Sequence, residues 1–296
     1  MNTARILVSC MLATALLAQA PPPPPTPPPP PHGMAEVGDA RSENRVDPLK
    51  FGAKLWVKNR NGSIRVNGWD REEVALSAQI RDTERRRIQL VIERKGDDLD
   101  IEAVFQRPGW SLAFDFIPSP KCEMTLNVPR KVLGFFHTTN GTVEASDLEG
   151  YARCESTNGD IRLKNITGEA KAETTNGSIE ARHLHARIKG GTTNGRILLE
   201  DVEGGIELST TNGGITAKNL DGWGEGITLE STNGGIQVEL GRAGGDLRAE
   251  NSNGGLEVKV PGAQVLETSK HSIHLKVPGK AQKISLETTN GGITVR

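Results

Sequence analysis

From residue 137 onward the apolar side chains of this chain alternate with polar ones at a spacing of two, and the alternation itself recurs. Three residues after a repeated Asn stand Val143, Ile161, Ile179, Ile197, Ile215, Ile236, Leu256, Ile273 and Ile293. Two further on stand Ala145, Leu163, Ala181, Leu199, Ala217, Val238, Val258, Leu275 and Val295. Eight after the Asn come Leu148, Ile166, Leu184, Val202 and Leu220. Twelve after it, allowing for short insertions, come Ala152, Ala170, Ile188, Ile206, Ile227, Leu247, Val265 and Ile284. A spacing of two is the strand period, and no helical period survives in this stretch. β-Branched residues fill most inner positions, as strands favour. Each unit therefore holds at least two short strands separated by turns.

The return distance is the second signal. Thr-Thr-Asn-Gly or a close variant brings Asn-Gly pairs to Asn140, Asn158, Asn176, Asn194 and Asn212, eighteen residues apart. They continue at Asn233, Asn253 and Asn290, after steps of twenty-one, twenty and thirty-seven. Within the long step, Ser269, Lys270-His271 and Ser272-Ile273 read as a degenerate copy. A fixed period of this size marks stacked units that cannot bury an apolar face alone. The fold expected is all-β: a parallel β-solenoid (β-helix) of about nine 18-residue coils, each inner residue resting on its counterpart about 4.8 Å away. Asn158 then lies over Asn140, and Ile161 rests on Val143. Asn-Gly suits a corner, because Asn tolerates left-handed backbone angles and Gly adopts them freely. The eight asparagines are expected to form a turn ladder, hydrogen-bonded from coil to coil.

The front of the chain differs. Strand-like runs appear at 54–57, 63–66, 73–80, 88–93, 99–105 and 122–128, and Asn61-Gly62-Ser63-Ile64 echoes the motif once. All six Phe precede residue 137. The cluster Trp110, Phe114, Phe116, Phe135 and Phe136 is expected to cap the open end, which would otherwise expose apolar cross-section and strand edges. At the other end Ile293–Arg296 reads as a motif strand with nothing behind it. Trp223 falls in a three-residue insertion and marks a bulged loop. The organisation predicted is a signal peptide at 1–20, a Pro-rich disordered linker at 21–48, an N-terminal β region and cap at 49–136, and the repeat solenoid at 137–296.

Arg5, the apolar run Ile6–Ala18 and Ala18-Gln19-Ala20 have the pattern of a secretory signal, although Pro21 follows the cleavage site directly. Leu7-Val8-Ser9-Cys10 resembles an acylation box, but the apolar run before Cys10 is short for one. Pro21 to Pro31, broken only by Thr26, favours a stiff polyproline II spacer. No later stretch has the roughly 20 apolar residues of a membrane span. The mature chain is expected to be exported to the periplasm, cell envelope or exterior.

With 36 basic and 37 acidic residues, net charge draws the chain to neither nucleic acid nor anionic lipid. Cys122 and Cys154 both have core parity, and export permits a disulfide. A bridge and two buried thiols both fit the pattern. His183 and His185 flank Leu184 without a third metal ligand nearby, so exposed turn residues are the plain reading. Asp160 is the one acid directly after an Asn-Gly, which removes the calcium-binding nonapeptide pattern. Arg81, Arg85, Arg86 and Arg87 form a basic turn. Arg153, Lys171 and Lys189 run beside Glu155, Glu173, Glu230 and Glu250, a layout suited to cross-coil pairing. Thr139, Thr157, Thr175, Thr193, Thr211, Thr232 and Thr289 would make a straight hydroxyl row. No catalytic, metal or cofactor residue is assigned.

Three segments carry a family resemblance: Asn61-Gly62-Ser63-Ile64-Arg65-Val66-Asn67-Gly68-Trp69-Asp70, then Thr125-Leu126-Asn127-Val128-Pro129, then the Thr-Thr-Asn-Gly-x-Ile coils. Over roughly residues 50 to 296 the chain resembles the bacterial putative adhesins with β-strand repeats, a domain family of unknown function. The resemblance implies an exported β-solenoid at the cell envelope, with adhesion inferred from shape and with no catalytic residues to carry over. Auto-transporter passengers are similar in fold, but no membrane barrel follows residue 296, so self-export by that route is not expected. The function expected is a non-catalytic adhesin or structural scaffold whose partner is a cell-surface glycan or protein. The alternative is a polysaccharide-acting lyase or hydrolase, which needs acids and bases converging on one strand face.

Overall fold

The computed structural model describes residues 40–83, 86–106, 119–221 and 225–296. The predicted signal peptide, most of the Pro-rich segment, Arg85, Trp110, Phe114, Phe116 and Trp223 lie outside them. All the described residues fall in one compact unit, Glu36–Arg296. The chain is a β-solenoid, and its rungs stack in parallel through the middle. Val143, Ile161, Ile179, Ile197 and Ile215 follow one another in register, strand upon strand. Asn158 pairs across from both Asn140 and Asn176. Each rung gives one strand before its Asn corner and one after it, making two rows.

The inner columns are those the alternation predicts. Val143, Ile161, Ile179, Ile197, Ile215, Ile236 and Ile293 are all at most 1% exposed. Along the facing column, neighbours two apart on a strand trade volume: Gly134 with Phe136, Ala152 with Cys154, Ile188 with Gly190. A Cβ on Gly134 would sit 2.4 Å from the Phe136 ring, so the ring already occupies that space. This is how a column of mixed sizes keeps interior density constant.

Two features of the stacking order depart from the sequence reading. The first is at the front. Strand Lys54–Asn61 lies parallel between Asp98–Phe105 and Lys131–Asn140, and Ile64–Trp69 lies parallel between Lys121–Pro129 and the start of Val143–Asn158. The Asn61-Gly62 echo is thus a full rung of the column, with Asn61 opposite Asn140. Pairing runs unbroken across residue 137, where a boundary between cap and solenoid was expected. Phe136 is buried inside the column and Phe135 stands on its outer face, so neither covers an open end. The covering is done by antiparallel strands: Ile88–Lys95 on one row, then Glu73–Arg81 and Ala40–Pro48 on the other, the last being an ordered strand inside the stretch 21–48 expected to be disordered linker. Arg41 donates to the Ile88 carbonyl and Arg94 to the Pro48 carbonyl at 2.6 Å, which satisfies edge acceptors that a bare strand would leave open.

The second departure is at the far end. The last strands of the chain, Lys280–Asn290 and Ile293–Val295, are not terminal in space. Ile284 lies between Ile227 and Leu247, and Ile293 lies between Ile236 and Leu256. The chain thus leaves a gap after residue 240, builds the outer rung first, and returns to fill the gap. Lys280 anchors the return, with Nζ 2.9 Å from Asp221 Oδ1 and 3.8 Å from Glu203 Oε1. Lys270-His271 is not a coil: Ser272–Val277 runs antiparallel to Ala243–Asn253, with Gln264–Thr268 antiparallel outside it. The predicted inner residue Val265 is consequently 58% exposed, and Ile273 is only partly buried. The Asn-Gly array from residue 140 onward therefore has eight rungs, not nine.

The two threonines of the motif do different work. The first is buried: Thr174, Thr192 and Thr210 donate to the carbonyls of Gly159, Gly177 and Gly195, fifteen residues back, at 2.8–3.0 Å. Ser156, Ser231 and Thr288 repeat the bond at their own rungs. Replacing Thr192 by Val keeps the shape but orphans the Gly177 carbonyl, a loss of about 1–3 kcal/mol. The exposed neighbour Thr193→Val is expected to stay within about 0.5 kcal/mol of wild type. Denaturant midpoints of the two variants measure the difference.

Candidate binding surface

The asparagine corner is a continuous amide ladder. Asn158 Nδ2 donates to Asn140 Oδ1 at 2.9 Å, and Asn176, Asn194, Asn212 and Asn233 each donate to the one before at 2.7–2.9 Å. Asn290 donates to Asn233 and Asn253 to Asn290, following the spatial order of the rungs and not the chain order. None of these asparagines has a left-handed backbone. The glycines matter there for proximity: a Cβ on Gly159, Gly195 or Gly213 would lie 1.9 Å from the carbonyl oxygen of the Gly one rung down.

Among non-glycine residues, left-handed angles occur instead at a second corner that the sequence reading missed. Asp147, Asn165, His183, Asp201 and Asn219, again eighteen apart, have φ of 50–58°. Asn and Asp tolerate that region best among non-glycine residues, and their recurrence seven residues after each ladder Asn was the available signal. Asn165 donates to Asp147 at 2.9 Å and Asn219 to Asp201 at 2.5 Å. His183 Nδ1 lies 3.0 Å from Asp201, and His185 Nδ1 lies 2.9 Å from Glu203, so both turn histidines face carboxylates of the next rung.

The outward charges pair partly across rungs. Arg153 reaches Glu155 on its own strand and Glu173 on the next at 3.7 Å, Lys171 reaches Glu173 at 2.9 Å, and Lys189 reaches Glu207 at 2.6 Å. On the other row Glu144 sits between Arg65 at 2.7 Å and Arg162 at 2.9 Å. Burial alone would raise the Glu144 pKa, but the hydrogen bonds from the two guanidiniums outweigh it and hold it below the usual carboxylate range. Asp160 accepts from the Ser178 amide at 2.9 Å. Arg81 and Arg87 are exposed on either side of an isolated antiparallel bridge between Thr83 and Arg86.

Cys122 and Cys154 are both buried and both free, so of the two sequence alternatives the structure has the unbridged one. Burial, and secondarily the charge of Glu123, pushes the Cys122 thiol up to about 12, and burial raises Cys154 as well. The thiolate is the reactive form. Native protein at pH 8 is therefore expected to leave both cysteines unalkylated, with full labelling only after unfolding; peptide mass spectrometry reads the two sites separately.

Two open grooves lie along the hydroxyl row. One, about 730 Å³, includes Thr193, Thr211, Lys171, Lys189 and Glu207; the other, about 600 Å³, includes Thr211, Thr232, Thr289 and His271. In the second, Glu230, Glu287 and Glu250 are exposed and in register on adjacent strands. Thr175, Thr193, Thr211, Thr232 and Thr289 are exposed, whereas Thr139 and Thr157 are half-buried. Among the described residues no group of three His, Cys, Asp or Glu could hold a metal ion, and no helix is long and apolar enough to cross a membrane.

A family model described as Toastrack DUF4097 matches residues 53–296. The chain belongs to that family. The match begins one residue before Lys54–Asn61, so the Toastrack domain takes in the front rung as well as the regular array. No curated protein matches this Toastrack chain in sequence. Three crystal structures are similar at low identity. One is a putative cell adhesion protein from Clostridium sporogenes, 12% identical, covering 86% of this chain and 99% of that one, with a TM-score of 0.28. A putative adhesin from Bacteroides fragilis is 12% identical over 86% and 97% of the two chains, with a TM-score of 0.35. A putative adhesin from Parabacteroides distasonis is 11% identical over 88% and 98%, with a TM-score of 0.31.

Proposed function

We propose that this Toastrack protein is an exported, non-catalytic component of the cell envelope, acting as an adhesin or structural scaffold. The observation that carries the reading is the unbroken ladder from Asn140 to Asn253. Seven side-chain amide bonds in series, backed by the buried hydroxyl bonds, tie every rung to the next and make the column stiff along its axis. A stiff column with a long polar face suits presentation and contact. Arg5, the Ile6–Ala18 run and the proline segment support export and a spacer between the N-terminus and the column. The hydroxyl row and its grooves supply a polar face for a surface glycan or protein.

Cell fractionation followed by adhesion of purified full-length chain to partner cells and isolated peptidoglycan tests this. Surface or periplasmic recovery with saturable binding is expected. A cytoplasmic protein would end the export reading, and an absence of all binding would retire the adhesin part. Depolymerisation of an acidic glycan by the pure chain would replace the reading with the lyase or hydrolase alternative.

A further inference from the structure

The outer face of the column carries a slot whose walls differ in chemistry. Trp56 and Phe135, on neighbouring strands, form one wall: their ring centroids are 5.4 Å apart and the planes within 13° of parallel. Tyr151 packs against Phe135 from outside the slot, 5.5 Å between centroids. Two residues further along the same strands, Lys58 and His137 form the facing wall with Glu155, and Arg153 stands beside Phe135 in register. The slot is open to solvent on one side and has a volume of about 240 Å³, smaller than the roughly 300–1,000 Å³ typical of drug-sized sites.

We propose that this slot holds a neutral, gluco-configured sugar residue of a β-linked polysaccharide. The inference rests on the envelope-binding reading above and names the chemistry of one site within it. An all-equatorial pyranose is itself two-sided, with an apolar C–H face and a rim of hydroxyls. The half-exposed aromatic wall meets the first. The second meets a carboxylate that accepts from hydroxyls, an imidazole, and an ammonium that donates to them.

Charge selects the neutral ligand. Lys58 Nζ is paired with Asp100 at 3.3 Å, Arg153 is paired with Glu155, and His137 Nδ1 lies 3.5 Å from Glu155. Both Lys58 and Arg153 are thus paired, Lys58 with an acid just outside the lining, so the slot offers little field beyond that of Lys54 Nζ, 5.9 Å over the Trp56 ring. Aromatic pairs on neighbouring strands do stabilise sheets, and that accounts for the Trp56–Phe135 contact. It does not account for the cavity beside them. Elsewhere in register this outward row carries Lys171, Lys189, Glu207, Thr228 and Ser285, with no further aromatic.

The test is calorimetric titration of the full-length chain with cellohexaose and with chitohexaose, and with α-linked dextran as the contrast. One of the β-linked hexasaccharides is expected to bind and dextran not to. Trp56→Ala should weaken binding about tenfold or more. Glu155→Gln, on the half-buried polar wall, should weaken it while lowering the unfolding midpoint only slightly through the lost ion pair, which separates recognition from packing. Failure of both hexasaccharides to bind overturns the proposal, as do Trp56→Ala and Glu155→Gln proteins that bind like wild type. Cell adhesion that persists without oligosaccharide binding sinks the slot alone. Oligosaccharide binding without adhesion keeps the slot and sinks the adhesin reading.

Discussion

Deleting residues 280–296 is expected to unfold much more of the column than the deleted segment. In a solenoid built in chain order, losing the last rung exposes the one before it and little else. Here Ile284, Leu286, Ile293 and Val295, all at most 1% exposed, lie between the rung ending at Leu240 and the outer rung Ala243–Val258. Each fully buried aliphatic side chain contributes about 1.5–3 kcal/mol, and its counterparts on both sides lose their cover together. Asn253 also loses its only ladder partner, Asn290. The outer rung and the hairpin Gln264–Val277 then have no core to pack on.

Hydrogen exchange on the truncated chain should show protection retained through the middle rungs and lost from about residue 243 onward. A protected segment 243–277 in that protein would contradict the inserted order. The same order has a kinetic consequence: the far end cannot close until the last residues of the chain are available. An N-terminal fragment ending at residue 279 should therefore stay protease-sensitive beyond residue 240.

The second large effect is expected from one methyl group. A Cβ at Gly195 would stand 1.9 Å from the Gly177 carbonyl oxygen and 2.6 Å from its carbon. Both atoms are backbone, so no side chain can swing aside and the two rungs must part. Overpacking of this kind costs typically about 1–3 kcal/mol, and here parting also strains the Thr192 bond and two links of the Asn ladder. Gly195→Ala should therefore destabilise the fold by the upper end of that range or more, read from the shift of its unfolding midpoint. Gly255→Ala makes the internal control, because a Cβ there meets nothing within 4 Å and its φ is not left-handed. It should be neutral, or stabilising by up to about 1 kcal/mol through the unfolded chain. Equal destabilisation by the two substitutions would show that rung spacing is not what the motif glycine serves.

The contrast between those glycines marks how far the motif was readable. Asn-Gly at eighteen-residue spacing places a corner, and the alternation around it places Ile161 on Val143; both follow from side-chain period alone. The reason for the Gly was not legible, because φ and interstrand clearance are properties of stacked rungs and not of a dipeptide. Thr-Thr hid a similar asymmetry. Thr192 is buried and Thr193 exposed, and only the position of the Gly177 carbonyl distinguishes them. The left-handed corner at Asp147, Asn165, His183, Asp201 and Asn219 was visible as a recurrence but was masked by the mixture of residue types. The aromatic slot was hidden for another reason: Trp56 and Phe135 are seventy-nine residues apart and become neighbours only because the front strand is inserted into the stack.

What the amino-acid order determined by itself is the content of each rung: which side chains face inward, where the chain turns at each Asn-Gly, and which amides can form a ladder. Those are short-range consequences of a period-two pattern repeated at fixed intervals. The tertiary structure alone decided which rung lies next to which, at both ends, and where the strand direction reverses. The reason is that the repeats are nearly interchangeable. Ile236 is matched as well by Ile293 as by Leu256, so the pattern scores every stacking order alike. Only the joint packing of linkers, the Lys280–Asp221 anchor and the covering hairpins selects one.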